Sequence, residues 1–148
     1  MSIEENKTLV RRFYDALGRE NYEEMATLFH KDFVFYSQVE TPHPGGDEFI
    51  ASERKNFDAF KGFKFPIVRM VAEGDQVAAY LVFEGRQSSE WHGIPARGAK
   101  LKFSLFALLK IVDGKIFEKR AHFDVSDIVR QLTPQGEAAA SLELGRHA

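Results

Sequence analysis

The sequence predicts an α+β domain, with helices gathered near the N-terminus and an antiparallel strand meander after them. Three observations lead there. Apolar residues recur at helical spacing as far as Phe60, and they alternate at strand spacing from Phe65 onward. Two short turn signals, Glu73-Gly74-Asp75 and Asp113-Gly114, divide the second half into hairpins.

In the first half, Ser2 followed by Glu5 has capping-box spacing, and Leu9, Val10, Phe13, Tyr14 and Leu17 repeat at helical intervals up to Gly18. Asn21 with Glu24 repeats the signature for a shorter second helix carrying Met25, Leu28 and Phe29. These two helices should pack as a hairpin. Residues 32–37, DFVFYS, read as a short strand, and ETPHPGG reads as a loop because Pro and Gly dominate it. Asp47 is placed to cap a third helix in which Phe49, Ile50, Glu53, Phe57 and Phe60 share one face until Gly62.

In the second half, Phe65, Ile67, Arg69 and Val71 alternate with Pro66, Val68 and Met70, and residues 76–85 are apolar on both faces. Residues 86–99 form a Gly-, Pro- and Ser-rich excursion around Trp91. LKFSLFALLKIV, residues 101–112, is a long strand that Asp113-Gly114 turns into a last antiparallel partner beginning at Ile116. Neither repeat nor linker interrupts the chain. Residues 1–134 are therefore expected to form one domain, followed at 135–148 by a polar, Ala-rich tail that either frays or docks on a partner.

Composition sets the bounds. With 148 residues and 44% hydrophobic content, the chain can bury one real core and is too short for two typical domains. Fourteen Phe residues suggest an aromatic interior wide enough to line a pocket. A net charge of −2 with the signs interspersed argues against a nucleic-acid partner. The lack of Cys excludes disulfides, thiolate metal sites and a Cys nucleophile. No apolar run approaches the about 20 residues that span a bilayer, and the N-terminus lacks a signal-peptide layout, so a cytoplasmic protein without membrane association is expected.

The stretch KIFEKRAHFDVSDIVRQL, residues 115–132, reads as that last strand followed by a short helix. Strand alternation puts Glu118, Arg120, His122 and Asp124 on one face, and Phe117, Lys119, Ala121 and Phe123 on the other. Ser126 is well placed to cap the helix of Ile128, Val129 and Leu132. His122 and Asp124 could supply two metal ligands, but no third is identifiable, so neither a metal nor a cofactor is expected. No phosphate loop, nucleophile elbow or His-Glu-x-x-His helix is present.

The segments FYDAL, LFHKDFVFY, VAEGDQVA, WHGIPARG, KIVDGKIFE and FDVSDIVRQL occur in an order and at a spacing that resemble the SnoaL-like polyketide cyclase family, over residues 6–132. The resemblance implies the cone-shaped fold of nuclear transport factor 2: a strongly bent, mostly antiparallel sheet wrapped around three N-terminal helices with an internal pocket. It also implies that the polar face of the last strand looks into that pocket. In that family an Asp at the end of the strand is the general acid/base, and the motif puts it at Asp124, with His122 as the neighbouring catalytic group. The implied activity is cofactor-free acid/base chemistry on a carbonyl-activated carbon, either aldol-type cyclisation or isomerisation.

Two positions depart from the family pattern. Arg120 stands where a Trp is usual, and Tyr36-Ser37 stands where a His is common, with His43 supplied from the following loop. The expected contacts to an apolar or aromatic small-molecule substrate are Arg120, Tyr14, Tyr36, His43, Trp91, Phe103 and Phe106. An alternative reading is a noncatalytic ligand-binding or dimerisation domain on the same fold. A homodimer is expected on either reading, because an outer sheet face carrying residues such as Leu105 or Phe117 would otherwise leave an apolar patch in water.

Overall fold

The computed structural model describes residues 2–134. Their order is α1 (Ile3–Gly18), α2 (Tyr22–Ala26), β1 (Phe29–Gln38), β2 (Thr41–Pro44), α3 (Gly46–Phe57), β3 (Ile67–Glu73), β4 (Gln76–Arg86), β5 (Lys100–Val112), β6 (Lys115–His122) and α4 (Val125–Leu132). The strands form one curved, unclosed sheet in the order β2-β1-β6-β5-β4-β3. Every pairing is antiparallel except that of β1 with β6. The expected α+β class holds, although α2 ends at Ala26 with Phe29 already in β1, and α3 ends at Phe57; the polar tail at 135–148 lies outside the described residues. No described helix is long and apolar enough to cross a membrane.

Local chemistry explains most boundaries. Ser2 Oγ accepts from Glu5 N at 3.0 Å while Glu5 Oε1 accepts from Ser2 N at 3.1 Å, the reciprocal box that starts α1. Asn21 Oδ1 accepts from Glu24 N at 3.1 Å and starts α2. Helix α3 departs from expectation: its N-cap is Gly45 at φ 99°, and no side chain caps it. Asp47 lies in its first turn, where a carboxylate suits the helix dipole. Gly46 is there for space, since a Cβ would come within 2.7 Å of the Phe29 ring.

The Pro-rich stretch expected to be a loop is instead partly strand. Thr41–Pro44 pairs with β1 through Val34↔Pro44 and Tyr36↔Pro42. An edge strand tolerates Pro because one side of its ladder needs no donor. At the other hairpin, Asp113 (φ 51°) and Gly114 (φ 71°) are both left-handed, as a two-residue primed turn requires.

The core lies between the inner sheet face and helices α1 and α3. Strands β4 and β5 alternate, burying Val77, Ala79, Leu81 and Phe83 against Leu101, Leu105, Ala107 and Leu109. Phe13 and Leu17 of α1, and Phe49 and Phe57 of α3, close over them.

Register then decides which face of β6 enters that core. The ladder runs Val112↔Lys115 and Ile111↔Ile116, then jumps to Lys110↔Glu118, so Phe117 is the extra residue of a β-bulge. Without it Glu118 would stand opposite Leu109 and face inward. The bulge reverses the alternation, placing Lys119 opposite buried Leu109 and Ala121 opposite buried Ala107. Arg120 and His122 instead pair with Leu108 and Phe106, whose side chains are exposed.

The expectation that the Glu118, Arg120, His122, Asp124 face looks into the interior is thereby corrected. The residues expected on the outer face change too: Leu105 is buried, and Phe117 is half-buried against the His30 ring at 5.0 Å. Outward apolar surface comes from Val71, Phe106 and Leu108.

Candidate active site

The interior cavity is built from aromatic walls around one carboxylate. Glu53 lines it from α3 together with Asn56 and Phe57, and Phe60 and Phe65 follow from the next segment. The sheet contributes Phe83, Leu101, Phe103 and Leu105, and α4 contributes Ile128. The space is small, about 70 Å³. Phe83 stacks with Phe103 at 5.1 Å between ring centroids and with Phe63 at 5.6 Å, which makes that wall flat and rigid. A larger depression between α1 and β3 is open to solvent and lacks this enclosure.

Trp91 and the partly exposed Phe123 stand at the cavity's rim. The loop bearing Trp91 is tied down from beneath. Buried Gln87 donates from Nε2 to Ile94 O at 2.8 Å and to Ser89 O at 3.1 Å, while His92 Nε2 and Asn56 Oδ1 lie 3.0 Å apart. Helix α4 is docked on β5 by Gln131, which donates to Lys102 O at 2.8 Å and accepts from Lys102 N at 2.9 Å.

Behind Glu53 lies a buried amine. Lys119 is 3% exposed, and its Nζ sits 4.6 Å from the Phe49 ring centroid, 5.4 Å from Tyr14, and 5.7 Å from Phe13 and Phe35. Among the described residues no hydrogen-bond acceptor or ion-pair partner reaches it. Burial pushes the Lys119 amine below the ordinary lysine range, and the Glu53 charge partly opposes this. Burial likewise raises the proton affinity of Glu53, with Lys119 opposing. Tyr14 is also 3% exposed, and burial followed by the Glu53 charge holds its hydroxyl well above the usual phenol range.

The sequence-predicted residues separate into two groups. Trp91 and Phe103 line the cavity, and Tyr14 is buried behind its wall, beside Lys119 and against the lining ring of Phe65, where it also borders the depression between α1 and β3. The others lie elsewhere. Asp124 is exposed and caps α4, its Oδ1 accepting from Asp127 N at 3.1 Å, a role expected of Ser126. His122 is exposed. Arg120 lies on the outer face, 4.0 Å above the Tyr36 ring and 3.2 Å from Glu118 Oε2. Phe106 is 56% exposed beside Tyr80. His43 stacks on Phe35 at 5.9 Å, and its Nε2 lies 3.0 Å from Ser37 Oγ at the β1–β2 edge.

Sequence reasoning did not single out Glu53 or Lys119, although the signal was present. Each is a charged residue on an otherwise apolar face, one of α3 and one of β6. Together they form a desolvated carboxylate with raised proton affinity beside a flat aromatic wall, with a buried amine behind it. Such a carboxylate can accept a proton from an acidified carbon near neutral pH. Among the described residues no group of three His, Asp or Glu side chains is arranged to hold a metal ion.

Solved structures with this architecture include AclR, a candidate hydroxylase from Streptomyces galilaeus (22% identity over 90% of this chain and 100% of that one, TM-score 0.80). A candidate SnoaL-like polyketide cyclase from Jannaschia sp. CCS1 is 20% identical over 90% of this chain and 97% of its own, with a TM-score of 0.79. An LEH-like epoxide hydrolase of M. tuberculosis is 20% identical over 96% of this chain and 97% of its own, with a TM-score of 0.69. At these identities the likeness establishes the cone-shaped fold. No curated protein matches the chain. The sequence itself matches the family of SnoaL-like polyketide cyclases across residues 7–132, nearly all of the described domain, and the chain belongs to that family.

Proposed function

We propose that the protein is a small-molecule enzyme that moves a proton at a carbon next to a carbonyl, in an aldol-type cyclisation or a double-bond isomerisation, with Glu53 as general base. The observation that carries this reading is the Glu53 carboxylate, the one acidic side chain among the residues lining the Phe-rich cavity, with its proton affinity raised by burial. The substrate is an apolar or aromatic carbonyl compound seated against the Phe83–Phe103 wall. Glu53 takes the proton from the acidified carbon, the C–H electron pair forms a C=C bond, and the carbonyl π pair moves onto oxygen, giving an enolate. The protonated Glu53 then returns its proton to the product alkoxide or to a different carbon. In the cyclisation the enolate carbon first attacks a second carbonyl of the same substrate, forming the C–C bond and leaving the alkoxide; in the isomerisation there is proton transfer alone, and in both Glu53 is asked only to move the proton.

The same proposal includes a homodimer. Val71, Phe106 and Leu108 project from the outer sheet face, away from the cavity, and pairing would remove them from water.

The test is solvent exchange. An aryl methyl ketone incubated with the protein in D₂O should exchange its α-protons faster than in buffer, followed by proton NMR. Glu53→Gln should lose at least about 10²-fold of that acceleration while keeping the fold. An unchanged rate in Glu53→Gln refutes the assignment.

A further inference from the structure

Two hydrogen-bond donors inside the domain have no acceptor. The Lys119 amine is enclosed by the rings of Phe13, Tyr14, Phe35 and Phe49, and among the described residues nothing accepts from it. The Tyr14 hydroxyl is buried and likewise without a partner among them. They are neighbours, with Lys119 Nζ 5.4 Å from the Tyr14 ring centroid. Both lie behind the cavity's wall: the Tyr14 ring stands edge-on to the lining residue Phe65 at 6.0 Å, and the lining carboxylate of Glu53 feels the Lys119 charge.

Four aromatic faces offer a cation some attraction, but they do not replace the acceptors that an ammonium has in water. A buried donor left unmet is destabilising, and more so when it is charged. The missing partner is an acceptor oxygen, preferably a negative one. Glu53 is the carboxylate whose charge Lys119 feels, yet it stands beyond ion-pair distance.

We infer that Lys119, with Tyr14 beside it, forms an anion-stabilising subsite behind Glu53. Its ligand is an enolisable carbonyl compound on a small aromatic or apolar frame, with the carbonyl oxygen directed at these two donors. The inference rests on Glu53 as the base and deepens that reading, because the charges then balance throughout. The subsite requires that before reaction the interior hold Lys119⁺ and Glu53⁻ around a neutral ligand. The carbon proton goes to Glu53 and the C–H pair becomes an enolate, so one negative charge passes from Glu53 to the ligand oxygen. Lys119 keeps a single counter-charge at every stage, and no uncompensated charge is ever buried.

A ligand that arrives already anionic would leave two negative charges facing one cation. It must therefore bind with Glu53 protonated. Binding of an anion should be accompanied by proton uptake and should weaken as pH rises.

Benzoate and benzamide are a matched pair of probes, since they share a ring and differ in the charge on the polar group. In titration calorimetry at pH 6, the wild-type protein should prefer benzoate by about tenfold or more, a difference of about 1.4 kcal/mol. Repeating the titration in buffers of different ionisation enthalpy should show uptake of a proton with benzoate. Lys119→Met should abolish the preference, and its melting curve reports that the fold is intact. Tyr14→Phe should reduce the preference without removing it.

Equal binding of the two probes by wild type, no saturable binding of either, or a preference that survives Lys119→Met overturns the inference. The base assignment fails separately. If Glu53→Gln loses ketone exchange while Lys119→Met keeps the benzoate preference, only the subsite is wrong. If Lys119→Met loses the preference while Glu53→Gln keeps exchange, only the base is wrong.

Discussion

Replacing Asp124 separates a helix cap from a catalytic acid, because the two roles respond to different substitutions. The Asp124 carboxylate accepts from Asp127 N at 3.1 Å and so satisfies a free amide at the start of α4, a helix that buries Ile128, Val129 and Leu132. Asp124→Ala removes that acceptor and should destabilise the domain by about 1 kcal/mol, the usual cost of losing an N-cap. For a chain of this length that is a fall in Tm of about 3–4 °C. Asp124→Asn keeps an oxygen in the same place and should change stability by only a few tenths of a kcal/mol. Both variants should retain ketone exchange, because Asp124 is exposed and is not among the cavity-lining residues. Thermal and urea melts give the first quantity, and NMR exchange gives the second. An Asp124→Asn variant that melts like wild type yet loses about 10²-fold in exchange would refute this reasoning and return the chemistry to the end of β6.

Phe106→Glu places a charge in the centre of the exposed outer patch and should convert a dimer to a monomer in light scattering at micromolar concentration; a wild-type protein that is already monomeric refutes the dimer. Lys119 gives a pH signature in stability. Its folded pKa is depressed, so the unfolded chain holds the proton to higher pH, and stability should rise with pH between the folded value and the unfolded value of about 10.4. Urea melts of wild type against Lys119→Met should show this gain in wild type alone, and parallel pH profiles would show that the amine is not desolvated.

Much of the fold was legible because local rules and tertiary demands agree. The Ser2–Glu5 box, the Asn21 cap and the Asp113-Gly114 turn all act over a few residues, and each is found where spacing placed it. The Pro-rich edge strand was not legible, since its pairing with β1 is a long-range gain that local composition opposes. The facing of β6 was misread for one physical reason. Alternation assigns residues to two faces but does not say which face is inside, and the bulge at Phe117 makes that choice. Family resemblance suggested the polar face, whereas the ladder puts Lys119 and Ala121 in the core and turns Arg120 and His122 outward. Trp91, Phe103 and Tyr14 survived as interior or cavity residues because their placement does not depend on that choice.

The central claim is that Glu53 takes the proton, and the most direct measurement follows Glu53 itself while the reaction is timed. Carboxyl-carbon NMR of ¹³C-labelled protein, with Glu53→Gln assigning the resonance, gives the protonation midpoint of this side chain. The pH dependence of ketone exchange gives the midpoint of the catalytic base. A base works only when ionised, so exchange should rise with pH, and burial should place its midpoint above the ordinary glutamate value of 4.5. The account predicts that the two midpoints coincide above that value. A Glu53 resonance that titrates at or below it, or an exchange limb that persists unchanged in Glu53→Gln, contradicts it.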